Sequence, residues 1–186
     1  MQHIQILFRL IKKFFCESND YKIYSLIKND QYLNYHEPEV KIFLRYSDVP
    51  DFLKKKLIIN PIINPLFYRL KLSHAILLSV YKGTEIISYG WVQTWHPFKR
   101  KFGWMFKEAT MLGPYWTNNL YRGKGYYGQL LKQSIQIADK SYPLFIYTTP
   151  ENISSQKGIE KLGFQYMGIY KINLFLRYFV THKKIE

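Results

Sequence analysis

Residues 40–186 predict an α/β domain of alternating strands and helices. Three observations carry this. Short apolar, β-prone runs recur between helical patterns. Two of these runs, Ala75–Tyr81 and Ile86–Val92, flank the turn Lys82-Gly83-Thr84-Glu85, which makes them a hairpin. A glycine-rich turn, Arg122-Gly123-Lys124-Gly125, leads directly into an amphipathic helix.

In chain order, Val40–Tyr46 reads as a strand, and Asp48-Val49-Pro50 opens a helix with Pro50 in its first turn. Phe52–Lys71 predicts two short helices broken at Pro61 and Pro65. The hairpin follows, then a loop, Trp95–Gly103, carrying Lys99-Arg100-Lys101. Trp104–Thr117 reads as one long strand, and Leu144–Thr148 as a short one bounded by Pro143 and Pro150. No internal repeat is present. Residues 1–39 form an N-terminal extension, expected to hold a helix and an extra strand, and 40–186 the main domain. Within the extension Ile4, Leu7, Phe8, Ile11 and Phe15 recur at helical spacing, with Arg9, Lys12 and Lys13 to one side. Such a stripe packs on its own domain or on a second subunit, or lies on a membrane surface.

The chain has 186 residues, 47% hydrophobic and 18% aromatic, which is enough to bury a core without staples. Cys16 is the only cysteine, so an intrachain disulfide, a CxxC pair and a cysteine-rich zinc site are excluded. No metal site is expected, and a reducing, cytoplasmic home is the default. Arg9, Lys12 and Lys13 interrupt the apolar start as a secretory core, and no apolar stretch is long enough for a membrane-spanning helix. The formal charge is +14, yet residues 1–39 carry five basic and five acidic side chains, so the whole excess lies in 40–186. That points to an anionic ligand on the main domain (a cofactor with several phosphates, a nucleotide-linked substrate or nucleic acid) or to a solvated basic surface. No helix-turn-helix or other nucleic-acid motif is present, so no nucleic-acid partner is expected.

The glycine-rich turn is the informative segment. Tyr127, Leu130, Leu131, Ser134, Ile135 and Ala138 form one helical face just after it. Strand, glycine turn and helix in that order place free N–H groups and the positive end of a helix dipole at one point, a site for pyrophosphate or simply a tight turn. It is not a Walker loop: Lys124 lacks the glycine spacing before it and the Ser or Thr after it. Gly123, Gly125 and Gly128 have dinucleotide-motif spacing, but no acidic residue follows about 20 positions on. After Leu144–Thr148, Asn152 can cap a helix running to Lys161, with Gly163 as its C-terminal stop and Phe164 opening the next strand.

Together these segments resemble the GNAT superfamily of N-acyltransferases. Arg122 and Gly125 match its glycine-loop signature, with Gly123 and Lys124 between them, and Asn152, Lys161, Gly163 and Phe164 match a second one. The resemblance spans 40 to about 175. It implies an α/β (α+β) fold with a central mixed, mostly antiparallel sheet, splayed between its fourth and fifth strands and flanked by helices. It also implies an acyl-CoA-dependent enzyme that uses acetyl-CoA or another short acyl-CoA and no metal. Backbone N–H groups of Gly123, Lys124, Gly125, Tyr126 and Tyr127, beside Arg122, would hold the pyrophosphate. The strand end at Tyr115, Trp116 and Thr117 would bind the pantetheine arm, with Asn152 and Ser155 contacting it from the next helix. A backbone N–H would polarise the thioester carbonyl, and the amine would attack directly.

One departure concerns the general acid. A tyrosine seven residues after the Asn protonates the leaving thiolate in many members of the superfamily; here that position is Ile159. Water, Tyr115 or Ser155 would have to serve. For the general base, Glu108 in the expected central strand comes first and His96 second, ahead of His74. Each also has an ordinary structural explanation as a paired or exposed side chain.

The run from Leu112 to Gly125 and the Lys157–Lys161 pattern are similar to GNAT proteins of bacterial surface-polysaccharide (lipopolysaccharide, O-antigen) pathways. This implies a nucleotide-linked (dTDP or UDP) amino sugar as the acceptor, with Tyr89, Trp91, Trp95 and Trp116 as stacking candidates or as core residues. The alternatives are a protein, peptide or small-molecule amine, or a non-catalytic acyl-CoA or nucleic-acid binder. A monomer or a homodimer is expected.

Overall fold

The computed structural model describes residues 16–27, 39–175 and 179–186, so the expected helix over 4–15 lies outside the described residues. The described chain divides into two compact units. One comprises 26–95 and 109–145; the other takes 16–25, 96–108 and the segments from 146 onward.

The first unit is built on the expected hairpin. β3 (Ala75–Lys82) and β4 (Glu85–Thr94) pair antiparallel from Ala75↔Gln93 to Lys82↔Glu85. β2 (Lys41–Phe43) pairs with β3 on its outer side. It is shorter than the run Val40–Tyr46 suggested, because the chain turns into a 3₁₀ helix at Tyr46–Asp48. On its other side β4 pairs with two short strands in succession: β5 (Thr110–Leu112) along Val92–Thr94, and β6 (Trp116–Thr117) along Ser88–Tyr89. The start of β7 (Leu144–Thr148) runs parallel to β5, at Thr110↔Leu144 and Met111↔Phe145, and that ladder covers only these two pairs among the described residues. The sheet is therefore mixed and mostly antiparallel.

The expected strand Trp104–Thr117 is corrected to these two pieces. Pro114 has no N–H to give a ladder, and Gly113 has φ 116, so the chain leaves β4 between Leu112 and Trp116.

Helices cover this sheet. α1 (Asp51–Ile58) and α2 (Asn64–Lys71) are the two expected short helices; Pro50 sits at the N-cap of the first, and Pro65 starts the second rather than breaking it. Leu53, Leu57, Leu66, Phe67 and Leu70 pack with Leu77, Tyr89 and Trp91 in one core cluster. α4 (Tyr126–Ile137) packs on β3, β4 and β6 and buries Leu130, Leu131, Ser134 and Ile135, the face expected from periodicity. All eight interior residues of β4 are buried, as befits a central strand between helices.

In the second unit β1 (Cys16–Leu26), β8 (Gln165–Phe175) and β9 (Phe179–Lys184) form an antiparallel ladder in that order. α5 (Ile153–Lys161) is tied to β1 by Tyr24, whose hydroxyl donates to Glu160 at 2.8 Å, and by Lys22, which donates to Gln156 at 3.0 Å. The expected loop Trp95–Gly103 is instead helical: a 3₁₀ turn at His96–Phe98 runs into α3 (Lys99–Phe102). Phe102 explains this, since it is fully buried and packs edge-on against Tyr21, which in turn meets Tyr147. No helix among the described residues is long and apolar enough to cross a membrane.

Candidate functional site

The glycine turn and the strand before it lie together in the first unit. Ser88 pins β6: its hydroxyl donates to the Trp116 carbonyl at 2.7 Å and lies 2.8 Å from the Thr117 hydroxyl. Trp116 stacks on Tyr89 with centroids 5.4 Å apart. The chain then makes a short 3₁₀ turn, Asn119–Tyr121, capped by the Asn118 side chain, which accepts from the Leu120 N–H at 3.1 Å. Arg122 Nε donates back to the Thr117 carbonyl at 3.3 Å, which fixes the guanidinium beside the turn.

Gly123 and Gly125 take φ 76 and 86, the left-handed region where any other residue is strained. A Cβ on either would meet nothing within 4 Å, so packing does not demand glycine here; backbone conformation does. Gly125 is the N-cap of α4 and supplies no side-chain cap, and the first turn holds no acidic residue. The first N–H groups of a helix twelve residues long therefore lack the usual side-chain acceptor. Lys124 lies over the Tyr121 ring, 5.0 Å from its centroid. Arg122, Lys124, two left-handed glycines and an uncapped helix start thus follow one another in this turn, donor chemistry of the kind that suits an anion such as a pyrophosphate. Tyr126 and Tyr127 open the helix, and Tyr126 packs edge-on to Tyr121. The Tyr121 hydroxyl donates to Glu85 at 3.1 Å, and this bond holds its proton above the usual phenol range.

Tyr115 points toward the α4 side. Its ring lies against Gly90 of β4 and meets Tyr127 edge-on, with centroids 5.5 Å apart. Its hydroxyl is buried without a well-formed hydrogen bond among the described residues; the nearby Ser134 hydroxyl donates to the Leu130 carbonyl at 2.8 Å and keeps acceptor capacity toward it. Burial raises its pKa well above the phenol value.

Most of the remaining sequence candidates lie in the second unit. Glu108 is not in a strand: it sits in a bend before β5, half-exposed and ion-paired with Lys99. His96 is exposed at the start of the 3₁₀ turn. Asn152 caps α5, its side-chain oxygen accepting from the Ser155 N–H at 3.3 Å and the Ser154 hydroxyl at 3.1 Å. Gly163 follows α5 with its N–H donating to the Glu160 carbonyl at 3.0 Å, and β8 starts at Gln165, one residue later than expected. Ile159 is 1% exposed, a core residue. His74, at the edge of the first unit, is an exposed residue whose carbonyl accepts from Thr94.

Of the aromatic stacking candidates, Trp91, Trp95 and Tyr89 are core residues and only Trp116, 39% exposed, offers a free face. Beside it lies a feature that sequence reading did not find: a pocket of ≈ 390 Å³ between α1 and the β4–β6 pair. Its walls come from three separate segments, within 56–60, 85–89 and 116–118, with no shared motif, so only the fold joins them.

No protein-family model and no curated protein matches the chain. Solved structures do match in fold. A GNAT-family acetyltransferase from Novosphingobium aromaticivorans superposes with TM-score 0.59 at 13% identity, over 91% of this chain and 66% of the other. One from Colwellia psychrerythraea gives 0.55 at 15%, over 86% and 56%. A GCN5-related N-acetyltransferase-like protein from Streptococcus suis gives 0.55 at 11%, over 91% and 66%. The chain thus spans between 56% and 66% of the length of these three. With the mixed sheet and the glycine turn ahead of α4, these superpositions identify the fold of this chain as that of the GNAT acetyltransferases.

Proposed function

We propose that this chain is an acyl-CoA-dependent N-acyltransferase. One observation carries the reading: on a GNAT fold, the strand–turn–helix from Trp116 to α4 presents two left-handed glycines, an uncapped helix start, Arg122 and Lys124 at one point. The pyrophosphate of acyl-CoA supplies the matching charge, and the thioester supplies the acyl group. The residues Gly123 to Tyr127 bind and orient it through backbone N–H groups. An amine nitrogen attacks the thioester carbonyl carbon, the carbon–sulfur bond breaks and the thiolate leaves with a proton. The amine gives up its own proton to a base, for which Glu108 is first by chemistry and His96 second. Much of the rate then comes from holding donor and acceptor in register.

The acceptor within this reading is the amine of a nucleotide-linked amino sugar. The excess positive charge on 40–186 and the free face of Trp116 favour it. The deciding experiment incubates the protein and acetyl-CoA with dTDP- and UDP-linked amino sugars, beside simple amines and peptides, and follows mass. The gain of one acetyl group on a nucleotide sugar is the expected result. Transfer only to a peptide or simple amine would overturn the acceptor assignment, and absence of acetyl-CoA binding would overturn the reading altogether.

A further inference from the structure

We propose that the pocket beside Trp116 is a carbohydrate subsite that seats one pyranose ring. The inference deepens the acyltransferase reading, since it places the sugar of the acceptor, but its test stands apart from turnover.

The pocket lies wholly within the first unit and encloses ≈ 390 Å³, at the small end of ligand sites. Trp116 forms one wall. Its indole is held flat against the buried Tyr89 ring, 21° from parallel, and is itself 39% exposed, so its pose is set by Tyr89. A preset aromatic face matches the apolar C–H face of a sugar ring at little entropic cost.

The polar groups around it fit the sugar's edge. Each is anchored through one atom and keeps others unused among the described residues. The Asn60 side-chain oxygen accepts from the Ile62 N–H at 2.9 Å, which leaves its amide N–H groups. The Asn118 oxygen accepts from Leu120, which leaves the same donors. One Glu85 oxygen accepts from the Tyr121 hydroxyl, and the other is an open acceptor. Lys56 donates once, to the Thr84 carbonyl at 2.6 Å, and retains two N–H donors.

Preset donors together with a carboxylate acceptor suit hydroxyl groups, which both donate and accept. The carboxylate disfavours a phosphate at this spot, because Glu85 would face it. A purely apolar ligand would strand four polar side chains without water. A neutral, polyhydroxylated ring satisfies all of them.

The test measures binding without acyl transfer. The protein is titrated by calorimetry and by saturation-transfer NMR with the methyl glycosides of glucosamine, galactosamine and their N-acetyl forms, and separately with coenzyme A. At least one glycoside is expected to bind. Trp116→Ala is expected to weaken it about tenfold or more, in line with the loss of one well-packed aromatic contact. Asn60→Ala, a milder change outside the glycine turn, is expected to weaken it several-fold while coenzyme A binds as before. No glycoside binding alongside normal coenzyme A binding would overturn the subsite and leave the acyltransferase reading standing. Glycoside binding that ignores both substitutions would overturn it as well. Glycoside binding that both variants weaken, in a protein that does not bind coenzyme A, would uphold the subsite and remove the acyltransferase reading.

Discussion

Gly90 and Tyr115 share one space: a methyl group on Gly90 would collide with the edge of the Tyr115 ring, which occupies the place where a side chain would otherwise stand. The bare glycine lets the segment between β5 and β6 fold in against the central strand. Gly90→Ala overpacks this contact and is expected to lower stability by about 1–3 kcal/mol. Urea unfolding followed by tryptophan fluorescence checks it, and an unchanged midpoint would show that the ring moves aside freely.

Tyr115 separates stability from chemistry. Its hydroxyl is buried and makes no well-formed hydrogen bond among the described residues, so Tyr115→Phe is expected to change stability by less than about 1 kcal/mol in neutral buffer. Burial raises the folded-state pKa above the unfolded value of about 10. Its contribution is therefore complete below pH of about 10 and declines as pH rises past it, because the folded state then holds a proton the unfolded state has lost. The phenylalanine variant should show a shallower loss of stability in alkali. If Tyr115 also protonates the leaving thiolate, its removal lowers turnover at constant acyl-CoA affinity; equal turnover would exclude it from that step.

Gly125→Val forces a β-branched residue to φ near 86 at the start of α4. The strain is expected to cost about 1–3 kcal/mol. Coenzyme A affinity should fall about tenfold or more as the helix start moves. Calorimetric titration measures it, and wild-type affinity in a folded variant would remove the pyrophosphate assignment.

Glu108→Gln keeps shape and removes charge. The ion pair with Lys99 is half-exposed, so its loss should cost less than about 1 kcal/mol. As the general base, Glu108 would reveal itself by turnover falling about 100-fold with coenzyme A binding unchanged. Steady-state rates across pH test this; unchanged rates would pass the role to His96.

Much of the architecture was legible in local sequence. The hairpin about Gly83-Thr84, the break at Pro61, the short strand Leu144–Thr148 and the cap at Asn152 rest on turn, proline and capping chemistry within a few residues of each other. The glycine turn before α4 was legible for the same reason: two residues must take left-handed conformations just where a helix begins.

Other features depended on partners distant in the chain. The helical turn at 96–102 follows from burial of Phe102 against Tyr21, some 80 residues away, and no local signal announces that contact. Trp104–Thr117 is rich in aromatic and apolar residues, yet only Thr110–Leu112 and Trp116–Thr117 find a neighbour on β4. Whether Glu108 stands in a strand, whether Trp116 shows a face to solvent and whether Asn60 and Glu85 meet in one pocket are outcomes of packing. By itself the sequence determined most of the elements and the glycine turn before α4, because those are settled by backbone conformation within a few residues. Tertiary structure alone decided which aromatic rings stay free and which polar side chains converge, because burial and pairing depend on what the rest of the chain brings alongside.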